Sequence, residues 1–342
     1  PVVQFIVRSV DEILKTEFGI EDGLASTITW GEMMARKPEL KLPKFCTPAT
    51  PFVQVLDPAT GTGTFLVEVI TQIHAHMRAK WAQQGKVSKA QWQPLWESYV
   101  QQHLLPRLYA FELMMAPYAI AHMKIGLKLA ETGYTFPEDG PRVNVFLTNA
   151  LEPAHAINPG LAFEAPMLAH EAAAASRVKE QLAATVVVGN PPYAQYSMNL
   201  NDAAKAHIEK FRYSNGTKIR ARNALQLERN LNADYVNFLG YSADLLPRGT
   251  GVLGMITNRT YLDSDSLIGL REWLATNFDQ LYVVDLGGSS EEIRRVERLA
   301  LDENVFDILQ GVAVSFASQR REQPGAPKST KSRELIGARE EK

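Results

Sequence analysis

The chain has a single cysteine, Cys46, among its 342 residues. One thiol can build neither a disulfide nor a cysteine-rich zinc site, and it fits a reducing cytoplasm with Cys46 as a small core residue. No apolar run reaches membrane-spanning length and no signal-peptide pattern is present, so no membrane partner is expected. The seven histidines show no ligand spacing. His74 and His76 stand two apart and would face different sides of a helix, so no metal is expected. An excess of one charge is also missing, with a formal net charge of −2. Any nucleic-acid contact must therefore come from local basic patches or from another part of the protein. There is no internal repeat.

What is present is apolar material, 45% of the chain, enough for one large α/β domain with additions. Val2, Val3, Ile6, Val10, Ile13 and Leu14 recur at helical spacing, which predicts a helix from Pro1 to about Phe18, ended by Gly19. A Pro- and Lys-rich connector follows. Strands are expected at 52–56, 105–111, 143–147, 185–188, 251–257 and 280–286, with a last strand or strand pair within 303–318. Helices are expected at 65–80, 115–131, 233–246 and 266–277, and a helical insertion at 81–102. The Ala- and Pro-rich stretch 152–180 reads as a variable connector, and 194–232 as a long polar connection with local helix. Strands alternating with helices predict a seven-stranded, mostly parallel sheet with helices on both faces and an antiparallel last strand. The chain opens inside an amphipathic run without a methionine and closes in a polar tail, 319–342, expected to be disordered. Both ends read as cut.

The first chemical signal is Asp57-Pro58-Ala59-Thr60-Gly61-Thr62-Gly63-Thr64, a turn between a strand and a helix. Glycines there let the backbone approach a ligand, and the helix beyond offers free N–H groups. A dinucleotide fingerprint wants a third glycine three residues on, where this chain has Leu66, so a nicotinamide cofactor fits poorly. A tight βα turn with no ligand would look similar. Glu112, at the end of the next strand, can accept two hydrogen bonds from ribose hydroxyls; an exposed turn acid is the plainer reading.

The stronger signal is Asn190-Pro191-Pro192-Tyr193, directly after the run Thr185 to Gly189. Two prolines stop the strand and stiffen its exit. The Asn190 side-chain oxygen and the Pro191 carbonyl can accept both hydrogens of a planar amino group. That frees the nitrogen lone pair for attack on a methyl sulfonium and stabilises the positive charge that develops. Tyr193 can stack on the base. The methylated nitrogen is acidic, so no strong general base is needed.

With these residues in place, the chain resembles the gamma-type adenine-N6 DNA methyltransferases. It is most similar to the modification domain of Type ISP restriction–modification enzymes and related phage-defence methylases, over roughly Pro1 to Ser318. The resemblance implies S-adenosylmethionine as cofactor and duplex DNA with a flipped adenine as substrate. It implies a segment 1–45 that completes the cofactor site and a catalytic domain 46–318. Val2 and Val3 would cover the methionine end of the cofactor, although the family's upstream Tyr-Thr-Pro is absent. Asp57 to Phe65 would be the cofactor turn, with Pro58, Ala59, Thr60, Gly61, Gly63 and Thr64 in contact. Glu112 and Leu113 would hold the ribose, Asn149 the adenine ring, and Asn190 would also touch the cofactor. Phe316, with Phe306 second, would pack on the flipped base. A target-recognition domain, and nuclease or helicase parts of the same parent protein, are the implied partners; none is visible here.

The segment 205–229 is basic, and Lys205, Lys210, Arg212, Lys218, Arg220 and Arg222 are candidates for phosphate contact, although a solvated helix face reads equally well. Asn-Pro-Pro-Tyr also suits methyltransferases of release-factor glutamine and of guanine N2 in RNA. A non-catalytic truncated module is a further alternative, separable by cofactor binding.

Overall fold

The protein is described from a computed structural model, over residues 1–138, 140–154, 166–194, 201–219, 224–247, 250–288, 304–306, 310–319 and 328–335. It divides into two bodies, one of Pro1–Gly189 with Leu245–Gly251, the other of Asn190–Asp244 with Val252–Lys342.

The first body begins with α1 (Val2–Thr16), whose Ile6, Val7, Val10, Ile13 and Leu14 are buried along one face. Asp11 is buried on the same helix, where it accepts the Leu24 N–H at 2.7 Å and pairs with Lys15 at 2.6 Å. Helix α2 (Trp30–Arg36) starts in a reciprocal cap between Thr29 and Glu32. Its Trp30 packs edge-on against Phe52 at 4.8 Å. Four parallel strands follow in the order β4-β1-β2-β3: β1 (Val55–Asp57), β2 (Leu108–Glu112), β3 (Asn144–Leu147) and β4 (Val186–Gly189). Val55 sits between Leu108 and Val186, and Asp57 opposite Ala110. Every residue of β1 and β4 is buried. Successive side chains point to opposite faces, so both faces of these strands are covered. The crossovers are α3 (Thr64–Gln83), α4 (Lys89–Tyr99), α5 (Met115–Glu131) and α6 (Pro166–Gln181). Arg107 is fully buried, donating to the Ser26 carbonyl at 2.8 Å and to the Tyr99 hydroxyl, which donates in turn to Ala25 O at 2.7 Å. That chain ties the stretch after α4 to the loop after α1.

The second body carries α7 (Asp202–Glu209), the hairpin β5 (Tyr213–Ser214) and β6 (Thr217–Lys218), α8 (Ala224–Leu231) and α9 (Asp234–Leu245). The hairpin turns on Asn215 and Gly216, both at positive φ. Then come β7 (Gly251–Asn258), the single turn α10 (Thr260–Asp263), α11 (Ile268–Asn277), β8 (Gln280–Asp285), β9 (Val312–Gln319) and β10 (Ser329–Glu334). β9 runs antiparallel to β8, with Phe316 opposite Tyr282, and β10 runs parallel to β8 on its other edge. These strands supply β10-β8-β9-β7 to an eight-stranded sheet.

The mostly parallel sheet flanked by helices stands as the sequence implied, with four corrections. Residues 166–181 are helix, because an alanine-rich run is a strong helix former whatever surrounds it. Residues 329–334 of the expected disordered tail form β10, which makes the sheet eight strands. Leu105–Arg107 is a 3-10 turn, so β2 starts three residues late, and β1 likewise starts at Val55 rather than at 52, where the Phe52 N–H is taken by Ile28 O. The insertion 81–102 divides into the end of α3 and the separately capped α4.

Candidate active site

The glycine turn lies in the first body, where β1 and β2 end side by side. Gly61 and Gly63 have φ of +53° and +78°, which only glycine adopts without strain. A Cβ on Gly63 would also lie 3.2 Å from the Ala121 Cβ of α5. The turn is held by its neighbour strand: Thr60 N–H donates to Phe111 O at 3.0 Å and Gly61 N–H to Glu112 Oε2 at 2.8 Å. The other Glu112 oxygen accepts the Met114 N–H at 2.8 Å. Each carboxylate oxygen keeps a further lone pair for a hydroxyl. Leu113, next along, is 64% exposed.

Asp57 is fully buried. Its Oδ1 accepts the Ala59 N–H at 3.2 Å, while Oδ2 is buried without a partner. Burial pushes this carboxyl up to about 7, against the pull of the Ala59 N–H and of the Thr60 hydroxyl, and the charge of Glu112 adds to the rise. Gly189 approaches from β4, where a Cβ would stand 3.0 Å from Asp57 Oδ1. Lys124 of α5 reaches the start of α3, donating to the Thr62 and Thr64 hydroxyls at 3.2 Å. Neither Gly189 nor Lys124 was singled out from sequence. Lys124 lies some sixty residues beyond the turn and carries no local signal.

Asn149, just beyond β3, shapes its own turn. Its Oδ1 accepts the Leu151 N–H, and its amide donates to Glu152, both at 3.1 Å. Its carbonyl accepts from Lys179 at 2.6 Å, an amine that burial pushes down to about 8. Val2 and Val3 are half-buried at the start of α1, and Phe65 is buried at the start of α3.

Asn190 follows Gly189 directly and opens the second body. It is exposed, Pro191 is buried, Pro192 is exposed and Tyr193 is half-buried. The Tyr193 hydroxyl donates to Asn190 Oδ1, and burial pushes the phenol up from its ordinary value. Ala194 O accepts the Asp234 N–H at 3.0 Å, anchoring the segment to the start of α9.

Phe316 is buried in β9, and Phe306 is half-buried with its N–H on Asn304 Oδ1 at 2.9 Å. Among the basic residues, Lys210 pairs with Asp244 at 2.5 Å and lies 4.4 Å from the Trp273 ring. Arg212 is shared by Glu228 and Glu209. Lys205 stands 3.7 Å from Asp202, and Lys218 is exposed on β6. Arg220 and Arg222 lie outside the described residues.

Parallel strands with a glycine turn after β1, and an antiparallel strand beside β8, make a Rossmann-like α/β arrangement. More particularly, residues 164–291 match the family of Eco57I restriction-modification methylases. Three solved structures share the fold over 99% of this chain. They are the ATP-dependent Type ISP restriction–modification enzyme LlaBIII bound to DNA (24% identity, TM-score 0.73), a nuclease-deletion mutant of the Type ISP enzyme LlaGI with a DNA substrate mimic (22%, 0.72) and the DrdV–DNA complex (23%, 0.66). The chain spans 20%, 24% and 28% of those chains. No curated protein matches it in sequence.

Proposed function

We propose that this chain is the methyltransferase part of a restriction–modification enzyme and transfers a methyl group from S-adenosylmethionine to adenine N6 in duplex DNA. The observation that carries the reading is at the exit of β4. Gly189 leaves no room for a side chain beside the Asp57 carboxylate, and the next residue is the exposed amide Asn190, stiffened by two prolines. The carboxylate ends β1 and the amide follows β4 directly in the chain, and these two strands are parallel neighbours.

The residues fit the cofactor. The unpartnered Asp57 Oδ2 suits a positively charged ligand, the glycine turn leaves room for one, and Glu112 has lone pairs for ribose hydroxyls. S-adenosylmethionine would supply an electrophilic methyl on sulfur. Asn190 Oδ1 and the Pro191 carbonyl would hold the two hydrogens of the target amino group and pull its nitrogen out of conjugation. In the free protein the Tyr193 hydroxyl donates to Asn190 Oδ1, whose second lone pair is open to the amino group. The Tyr193 ring then serves as the stacking surface. Because the base must leave the duplex to reach these acceptors, DNA is bound with the adenine flipped. Lys218, exposed on its hairpin, suits phosphate better than Lys210 and Arg212, whose charges are already paired.

The test is tritiated methyl transfer from S-adenosylmethionine to adenine-containing DNA, RNA and a release-factor protein in parallel, with Asn190→Ala as control. Label recovered as N6-methyladenine and lost in the variant is expected. Label in RNA or protein would overturn the substrate, and label surviving in the variant would overturn the role of Asn190.

A further inference from the structure

The first body has a second concavity, at the amino ends of its strands. It is a cavity of about 490 Å³ whose walls include Gln54 just before β1, Tyr109 near the start of β2 and Asn144 at the start of β3. Gln54 and Asp57 are three strand residues apart, about 10 Å, so this cavity lies at the opposite edge from the cofactor turn.

Its chemistry is one-sided. Phe45, Tyr109 and Phe146 give it aromatic walls. Its ionisable lining is basic, from Arg142, Arg177 and His170, and no carboxylate is among its described lining residues. Arg142 is committed to Glu171, at 2.8 and 3.2 Å, and lies over the Phe146 ring. Arg177 and His170 are exposed at the rim of α6. Asn144 donates its amide to Leu105 O at 2.9 Å, which leaves its side-chain oxygen to accept. Phe45 stands at φ +89°, a conformation unfavourable for any residue with a Cβ, and its ring is 59% exposed. Lys44 lies 4.8 Å from the centre of this ring, and the rest of the ring stands open at the mouth of the cavity on a strained backbone.

We propose that this cavity binds a mononucleotide, with its base among the aromatic walls and its phosphate on Arg177 and His170. The volume falls in the range of small-molecule sites. An inorganic anion would leave the aromatic walls unused, and an uncharged ring would leave the Arg177 guanidinium unused.

Cys46 lines the cavity, is half-buried and is the chain's only cysteine, so its alkylation reports on occupancy directly. The experiment is the rate of N-ethylmaleimide labelling of the full chain with AMP, GMP, inorganic phosphate, adenosine or S-adenosylhomocysteine. Saturable protection by AMP or GMP of about tenfold is expected, with phosphate and S-adenosylhomocysteine giving none. Arg177→Glu and, separately, His170→Ala should each raise the half-protecting concentration about tenfold. Both positions are exposed, and S-adenosylmethionine binding in each variant checks that the fold is intact. No protection by any mononucleotide overturns the proposal. So does equal protection by phosphate alone, by S-adenosylhomocysteine, or by an oligonucleotide where mononucleotides fail.

Discussion

Replacing Asp57 by asparagine should stabilise the free protein above neutral pH while weakening its hold on the cofactor. Burial lifts this carboxyl from 3.8 to about 7. At about 1.36 kcal/mol per unit, holding it ionised costs the fold at most about 4 kcal/mol. Below pH 3.8 both folded and unfolded carboxyls are protonated and the cost is absent. Between 3.8 and about 7 the unfolded chain ionises while the folded one keeps its proton, so stability falls as pH rises. Above about 7 the loss levels off. Asparagine keeps an oxygen for the Ala59 N–H but places an NH2 where Oδ2 has no partner, which costs about 1–3 kcal/mol. The variant should therefore gain about 1–3 kcal/mol at pH 8, gain nothing or lose a little at pH 4.5, and show a flatter pH profile between. Urea unfolding without cofactor at pH 4.5, 6 and 8 measures this. Calorimetry should show S-adenosylmethionine binding about 10–100-fold more weakly in the variant, the scale of one lost charge-assisted contact. A variant equally destabilised at every pH, or one that binds the cofactor as tightly as the native chain, would refute the reasoning.

Three further outcomes follow from the geometry. Gly63→Ala should lose about 1–2 kcal/mol more than Gly61→Ala in urea unfolding, since both glycines are left-handed but only Gly63 faces the Ala121 Cβ; equal losses would contradict the close approach. Asn190→Ala should lower methyl transfer about 100- to 1,000-fold, far more than it lowers cofactor affinity, whereas Tyr193→Phe, which frees Asn190 Oδ1 and keeps the ring, should stay within a few-fold of the native rate. Lys218→Glu should weaken DNA binding and flatten its salt dependence, while Lys210→Ala should mainly lower stability, by up to about 1 kcal/mol after solvent screening, because its ammonium is already paired with Asp244; the reverse pattern in a salt titration would reassign the DNA face.

Much of the fold was legible because its signals are local. Helix α5 was placed at its observed ends, and α1, α9, β7 and β8 within a residue or two, by apolar spacing and turn residues. The polarity of β10 hid it: Ser329–Glu334 has no apolar alternation and forms on the open edge of β8, as a charged edge strand does. Helix α6 was hidden by its company, an alanine run read together with the proline-rich residues before it. The basic segment 205–229 was legible as charge, but not as paired charge. Asp244 and Trp273, which engage Lys210, lie 34 and 63 positions along the chain, and no pattern in the segment announces them.

By itself the sequence determined the parts whose physics is contained in a few neighbours. The glycines set a turn that only left-handed residues can make, and two prolines after a buried strand fix its exit. An asparagine there can only be an acceptor and donor pair held rigid. Tertiary structure alone decided what those parts face. It buried Asp57 and left one oxygen without a partner, brought Gly189 against that carboxylate, and spent Glu112 on the backbone of the turn. It also brought Lys124 to the start of α3. Burial and long-range approach raise or lower a charge by the surroundings they remove or supply, and residues distant in the chain supply those surroundings.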